Sequence, residues 1–308
     1  MIDVAIMIEG QNGLNWPRWQ RLARAVEDLG FVGLYRSDHY TNARPPDKDS
    51  LELWTSLTWL ADNTERIEFG PLVTPFSFRE PTMTARTALA VDDLAGGRLT
   101  LGLGAGWQER EHEKFGHDLL DLEGRFRRFE EGLQVVRALL QSDDPVSFDG
   151  EFYELRDAVL LPRPQREGGP PILVGGNGWN RTMPLAAQYA DEWNGIFLTP
   201  ADFAERSNHL DELLEEQGRQ PDAVRRSLMI GTEFGRTTDE VETQVEKRTG
   251  GRLTAEELRE RGLIVGTGAD FRAALQAYEE AGCQRVMLQW LDLDDLNRLE
   301  ALARAIFS

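Results

Sequence analysis

The fold class this sequence predicts is a single (β/α)8 barrel, on three observations. Short apolar, β-branched runs alternate with amphipathic segments along the whole chain, and eight such strands are counted. The strands are apolar nearly throughout, as expected where helices cover a parallel sheet. No Ser/Gly-rich linker or low-complexity tract divides the 308 residues, so eight regular units favour closure into one domain (1–308) over a doubly wound sheet.

The elements follow in order. Ile2 to Ile8 reads as a strand, and Trp16 to Leu29 as a helix, with Trp19, Leu22, Ala23 and Val26 at helical spacing and Gly30 as its stop. FVGLYR (31–36) is the second strand, Leu51 to Asn63 a Leu- and Trp-rich helix, and RIEFGPLV (66–73) the third strand. Pro81 opens a helix to Leu94, and GGRLTLGLG supplies a turn and a fourth strand ending at Gly104. A long helix, Arg125 to Leu140, precedes PPILVGG. Helix Asn180 to Tyr189, strand EWNGIFL, helix Ala201 to Gln217 and strand RSLMIGT come next. Helix 269–281, strand RVMLQW and helix Asp292 to Ile306 complete the series. Three stretches exceed a minimal barrel: 105–124, 142–170 and 232–267. The second holds Asp149-Gly150 between two short apolar runs, a hairpin signal placed after a helix and so expected at the face opposite the mouth. The third is long enough to be a lid at the C-terminal mouth.

Composition narrows the function. With 34 Lys+Arg against 53 Asp+Glu the formal net charge is −19, the wrong sign for a protein that holds nucleic acid or an anionic membrane through its overall field. No stretch approaches the roughly 20 apolar residues of a membrane span. The single cysteine, Cys283, allows neither an intrachain disulfide nor a cysteine-rich metal site, and Asp3 and Glu9 around a short apolar run do not make a secretion signal. The expectation is a cytoplasmic protein acting on a small molecule.

In a barrel, chemistry gathers at the strand C-termini. Those ends read Glu9-Gly10-Gln11-Asn12, Arg36-Ser37-Asp38-His39-Tyr40, Leu72-Val73-Thr74-Pro75, Gly104-Ala105-Gly106-Trp107, Gly175-Gly176-Asn177-Gly178, Asn194 and Gln289-Trp290. Such a polar, glycine-rich and aromatic mouth suits a flat, partly anionic ligand. Gly176, Asn177 and Gly178 precede a helix with Arg181 in its first turn, a setting in which backbone N–H groups converge on a phosphate; a plain strand-to-helix turn is the other reading. Asp38 beside His39 reads either as a structural hydrogen bond or as a carboxylate tuning an imidazole for proton transfer. His112 and His117 do not have metal-ligand spacing, so no metal site is expected. Together with Glu109, Arg110, Glu111 and His209 they read as solvated helix surface, Glu109 having the reach to enter the mouth.

The passages GLYRSDHY, ERIEFGPLVTP, DDLAGGRLTLGLGAGWQERE, EGRFRRFEEGLQVVRALL, YELRDAVLLPRP, PPILVGGNGWNRTMPLAAQYADEWN, VGTGADFRAAL and AGCQRVMLQW resemble, in order, the luciferase-like flavin-dependent superfamily, in its branch that uses the deazaflavin coenzyme F420. The resemblance implies a ring cofactor in the mouth with its phosphate at Gly175, Gly176, Asn177, Gly178 and Arg181. The ring would be backed by Leu72, Val73 and Thr74, with a non-proline cis peptide at Pro71–Leu72 or the adjoining bond, and bordered by Gly104, Gly106 and Trp107. It further implies Asp38 and His39 near the reactive end of the ring, and a homodimer.

Two departures stand out. The sugar-phosphate dehydrogenase of this branch has a catalytic Glu where this chain has Trp107, and a Trp where this chain offers Thr41, Asn42 and Ala43. The expected reaction is hydride transfer between F420 and a small, fairly apolar organic substrate, with His39 exchanging the proton and Asp38 orienting it or binding the ring edge. The alternatives are an FMN-dependent monooxygenase fed by a separate reductase, and a cofactor-binding protein without turnover. Because F420 is anionic, the net charge predicts segregation. Some of Arg36, Arg44, Lys48, Arg79 and Arg181 should gather at the mouth, and the excess acid on outer helices 205–216 and 239–246.

Overall fold

The protein is described from a computed structural model covering residues 2–307. β1 (Asp3–Ile8) leads to α1 (Trp16–Asp28), and β2 (Gly33–Arg36) to α2 (Leu53–Asn63). The third position is split into β3 (Glu68–Pro71) and β4 (Thr74–Pro75), followed by α3 (Pro81–Leu94). β5 (Leu101–Gly104) precedes α4 (Glu109–Phe115) and α5 (Leu122–Gln141), then a hairpin of β6 (Val146–Asp149) and β7 (Glu154–Ala158). β8 (Ile172–Gly175), α6 (Thr182–Tyr189), β9 (Glu192–Ile196), α7 (Pro200–Glu216) and β10 (Arg225–Phe234) follow. The chain ends with α8 (Thr238–Thr249), α9 (Ala255–Glu260), β11 (Ile264–Gly266), α10 (Gly268–Glu280), β12 (Arg285–Gln289) and α11 (Leu296–Phe307).

The strands lie in the order β3-β2-β1-β12-β10-β9-β8-β5-β4, all parallel. A bridge from Phe69 to Leu99 and the pairing of β4 with β5 bring the two ends of that order together, so the expected barrel forms. Ala5, Met7, Tyr35, Leu173, Met229 and Met287 fill its interior, and a larger apolar layer joins the strands to the helices.

The third strand is where the chain departs from regular pairing. Its run 66–73 breaks at a cis peptide between Leu72 and Val73, the bond adjoining Pro71–Leu72. The β5 backbone passes so close to the break that a Cβ on Gly102 would stand 2.1 Å from the Pro71 carbonyl oxygen; glycine is required there. Leu72 and Val73 line the mouth cavity.

The three extra stretches are ordered. In the first, α5 is capped by Asp121, whose Oδ1 accepts from the Gly124 N–H at 2.7 Å. Asp121→Ala is expected to cost about 0.5–2 kcal/mol in urea unfolding, the usual value of such a cap. The hairpin corrects an expectation. It starts at the face opposite the mouth but climbs the outside of α5, where the Glu151 and Phe152 N–H groups each donate to Glu131 at 2.8 Å and Arg127 pairs with Glu151 at 3.1 Å. In the third, α8 and α9 enclose a small core of Val241, Val245, Leu258 and Val265, and β11 extends the sheet beside the end of β10. Lys247–Asp292 (2.6 Å) ties this stretch to the segment after β12, and within it Arg248–Glu233 (2.9 Å) ties α8 to the end of β10.

Candidate active site

A cavity of about 720 Å³ opens at the C-terminal ends of the strands. Met7, Met229, Leu72 and Val73 line its inner end, and Ala43, Trp107, Leu122, Phe126 and Phe197 its outer part. Trp107 is 61% exposed, a large apolar surface in the cavity wall.

His39 lines this cavity, but its ring is not held by Asp38. Nδ1 lies 2.8 Å from Glu111 Oε1, and the other Glu111 oxygen accepts from the Tyr40 N–H at 3.0 Å. Asp38 is committed elsewhere: Arg79 donates to both of its oxygens at 2.8 and 2.9 Å, Thr74 donates through its hydroxyl, and Arg79 also reaches Glu52 at 3.0 Å. The expected pairing of neighbours is therefore replaced. Burial opposes the charged form of His39, but the hydrogen bond and charge of Glu111, with Glu9 and Asp38 beyond, outweigh it and raise the imidazole above its ordinary value. Trp107 meets the imidazole edge-on at 5.7 Å.

Glu111 is 1% exposed and His112 is also buried, which corrects their reading as solvated surface. Glu109 is the exposed member of the set. Gln108, Glu111 and His112 share the inner face of α4 because residues three and four apart on a helix point the same way. That spacing is the one signal in the sequence that sets Glu111 on the same face as Gln108. His117 sits beside His112 in an aromatic group with Phe78 and Tyr40, and His209 stacks on Trp179 at 4.1 Å.

Polar groups on the inner walls form a connected set. Gln289 and Gln11 each donate to Glu9 at 2.8 Å, and Ser37 donates to Gln11 at 2.6 Å. Asn194 donates to Ser227 at 2.8 Å, and its Oδ1 has no partner although buried. Gln108 Oε1 is likewise buried without a partner, while its amide N–H is engaged with the Thr41 carbonyl at 3.0 Å. Both acceptors belong to residues lining the cavity, so a bound molecule with N–H or O–H groups would satisfy them.

The fifth-strand loop lies beside the same cavity, with Gly175 in its wall. Asn177 is fastened to β9, donating to the Ile196 carbonyl at 2.7 Å and accepting from its N–H at 2.9 Å. Gly176 takes φ +130°, which suits glycine. Among the described residues, the N–H groups of Asn177, Gly178, Trp179 and Asn180 donate to no group of the chain. They precede α6, and Arg181 stands next to them over the Phe126 ring at 6.0 Å.

The expected cation cluster is only partly formed. Arg36 is buried against Ser56 and the Leu51 carbonyl, Arg79 is tied to Asp38 and Glu52, and Lys48 donates to Asn12 at 2.7 Å. Arg181 keeps its place by the loop. The guanidinium in the cavity wall is Arg125, not among those anticipated, bonded to the Gly106 carbonyl at 3.3 Å. On the outer helices, Glu205, Glu212, Glu215, Glu216, Asp239, Glu242 and Glu246 are exposed as expected.

Residues 3–285 match the sequence profile of the family described as luciferase-like monooxygenase. The chain belongs to that family. This luciferase-like chain is 32% identical over 216 residues to the 4-hydroxyprotoasukamycin monooxygenase of Streptomyces nodosus subsp. asukaensis, covering 68% of this chain and 57% of that one. It is 30% identical over 203 residues to the 5,10-methylenetetrahydromethanopterin reductase of Archaeoglobus fulgidus, covering 65% and 55%. It thus spans little more than half the length of either relative. Over 285 residues it is 26% identical to an F420-dependent glucose-6-phosphate dehydrogenase of Kineococcus radiotolerans, covering 83% and 82%. Its fold matches that of an F420-dependent secondary alcohol dehydrogenase solved with an F420–acetone adduct, with TM-score 0.85, 18% identity and 99% of both chains covered. It also matches that of a monooxygenase from Streptomyces bottropensis, with TM-score 0.82, 19% identity and 99% of both chains covered. The luciferase-like relatives therefore include both F420-dependent oxidoreductases and monooxygenases.

The site fits a ring cofactor with a phosphate arm. Two buried acceptors without partners, an apolar inner end and a run of free N–H groups before a helix are the features such a molecule needs. No helix among the described residues is long and apolar enough to cross a membrane.

Proposed function

We propose that this chain is an F420-dependent oxidoreductase acting on a small, largely apolar organic substrate. The observation that carries the reading is His39, which lines the cavity with Nδ1 held by Glu111, leaving Nε2 for the substrate oxygen. When bound, the deazaflavin supplies or accepts the hydride. The residues of the chain do the rest. Asn177, Gly178, Trp179 and Asn180 would hold the phosphate through their N–H groups, with Arg181 beside them. Leu72, Val73, Gly104, Gly106 and Trp107 would border the ring, and Asn194 and Gln108 would accept hydrogen bonds from its edge or from the substrate. Thr74 and Asp38 serve the ring indirectly, by fixing the turn that carries His39 and the bulge after β3. In carbonyl reduction, His39 Nε2–H would donate a proton to the substrate oxygen; in alcohol oxidation the neutral Nε2 would accept one from the hydroxyl. The indole of Trp107, with Leu122, Phe126 and Phe197, supports an apolar substrate.

A second reading is favoured by the charges. Glu9 and Glu111 face the cavity with only Arg125 and His39 to offset them, so the mouth lacks the cation cluster expected for the highly anionic F420 tail. FMN, carrying less charge, with oxygen and a separate reductase, is that alternative. Titrating the purified protein with each cofactor separates the two. F420 is expected to bind at least about tenfold tighter than FMN, a difference of about 1.4 kcal/mol, and its reduced form to be consumed with apolar ketones or aldehydes. Tight FMN binding with substrate-dependent oxygen uptake would establish the second reading instead.

A further inference from the structure

We propose that Glu111, on the short helix α4, is the positioning residue of His39, fixing which ring nitrogen exchanges the proton, and that Asp38 does not have this role. The inference rests on the reading that His39 exchanges a proton with the substrate.

The geometry carries it. The Glu111 carboxylate is gripped at both oxygens by successive residues of the β2 turn, by His39 Nδ1 at 2.8 Å and by the Tyr40 N–H at 3.0 Å. An ionised carboxylate can only accept, so in this pair Nδ1 carries the hydrogen; the Gln108 amide nitrogen, 3.3 Å from the same Nδ1, then keeps its N–H on the Thr41 carbonyl at 3.0 Å. In the neutral ring this makes Nε2 the acceptor, and in the imidazolium it makes Nε2–H the proton that leaves. Asp38 cannot compete, because Arg79 and Thr74 occupy its oxygens.

The carboxylate also depends on α4 being docked. Arg110 donates to the Asn42 carbonyl at 2.6 Å, and Arg110 and Lys114 both reach Asp47 from the same helix, at 2.7 and 2.8 Å. These contacts join the stretch after β5 to the one after β2, so the His39–Glu111 pair assembles only when the two are clasped.

The charged groups near the ring are Glu111 from α4, Glu9 from β1 and Asp38 from the β2 end, the last offset by Arg79; Arg125 from α5 is the cation in the same cavity wall. The carboxylates hold His39 above its usual value of 6.5 against the effect of burial. Because the folded-state value is raised, the pair contributes its full stability below about pH 6.5 and loses it as pH rises through the raised value.

Long-range proton–nitrogen NMR of the histidine rings, in the protein without cofactor, tests this directly. Wild-type His39 is expected to show the Nδ1–H tautomer when neutral, a measurement that needs no variant at position 111. Glu111→Gln is expected to lower the His39 pKa by about 1–3 units, and to move the corresponding limb of the kcat/KM profile by the same amount. Glu111→Asp, which keeps the charge, should restore part of the shift. An Nε2–H tautomer in the wild type, or an unchanged His39 titration in a folded Glu111→Gln protein, overturns the proposal. Turnover of His39→Asn distinguishes the other failure: full activity there removes the proton-transfer reading, even where the NMR shows the pairing.

Discussion

Replacing His39 with asparagine is expected to lower kcat/KM by about 10²–10⁴, the usual contribution of a positioned acid or base, with the cofactor Kd changed by less than about threefold, equivalent to well under 1 kcal/mol. Asparagine is chosen over alanine because Glu111 is buried, and alanine would leave its carboxylate without a donor, whereas asparagine Nδ2 stands where Nδ1 did. The pH dependence has a definite sign. In carbonyl reduction the imidazolium is the active form, so the rate falls as pH rises through the raised His39 value; in alcohol oxidation the neutral ring is required and the rate rises over the same interval. Steady-state kinetics in both directions, with cofactor binding measured separately, checks both statements. Unchanged kcat/KM would show that the proton is exchanged elsewhere.

Arg285→Met is expected to destabilise the fold by about 3–5 kcal/mol, the cost of leaving a buried charge without its partner. Arg285 is 0% exposed and begins β12 at the closed end of the barrel. Its guanidinium donates to the Tyr35 hydroxyl and to Glu68, and to Glu192 at 3.3 Å. Methionine matches the aliphatic stem but leaves the buried Glu192 uncompensated. Denaturant unfolding measures the loss, and adding Glu192→Gln should recover part of it, since the two positions share one interaction. The cavity lies at the other end of the strands, so cofactor affinity in the folded variant should be unchanged. A loss under about 1 kcal/mol would mean that water or the exposed side of Glu68 already compensates these charges.

The two substitutions mark the two ends of one barrel, and they differ in how far each was legible. The barrel itself follows from local pattern: apolar runs such as FVGLYR and PPILVGG, each followed by a helical stripe, require a covered parallel sheet. Once strand direction is set, His39, Trp107, Gly175 and Asn194 all fall at one mouth. The fifth-strand loop was legible for the same reason, because glycines before a helix start are a local signature.

The partners of the charges were not legible locally. Asp38 and Glu111 both come within reach of the β2 turn, and adjacency in sequence favours Asp38. The fold gives Asp38 to Arg79, 41 residues away, and gives His39 to Glu111, 72 residues away. Arg125 entered the cavity wall and the hairpin climbed α5 for the same kind of reason.

The sequence by itself determined the order of strands and helices, the end of the barrel at which the cavity opens, and which residue types stand there. Only the tertiary structure decided which carboxylate meets the imidazole, which arginine faces the cavity, and which polar atoms are left for a ligand. Periodicity and capping act over a few residues and are written into neighbouring positions. An ion pair is set by distance in space, and among many charges of the same kind only the packing of α4 against the β2 turn selects the one that fits.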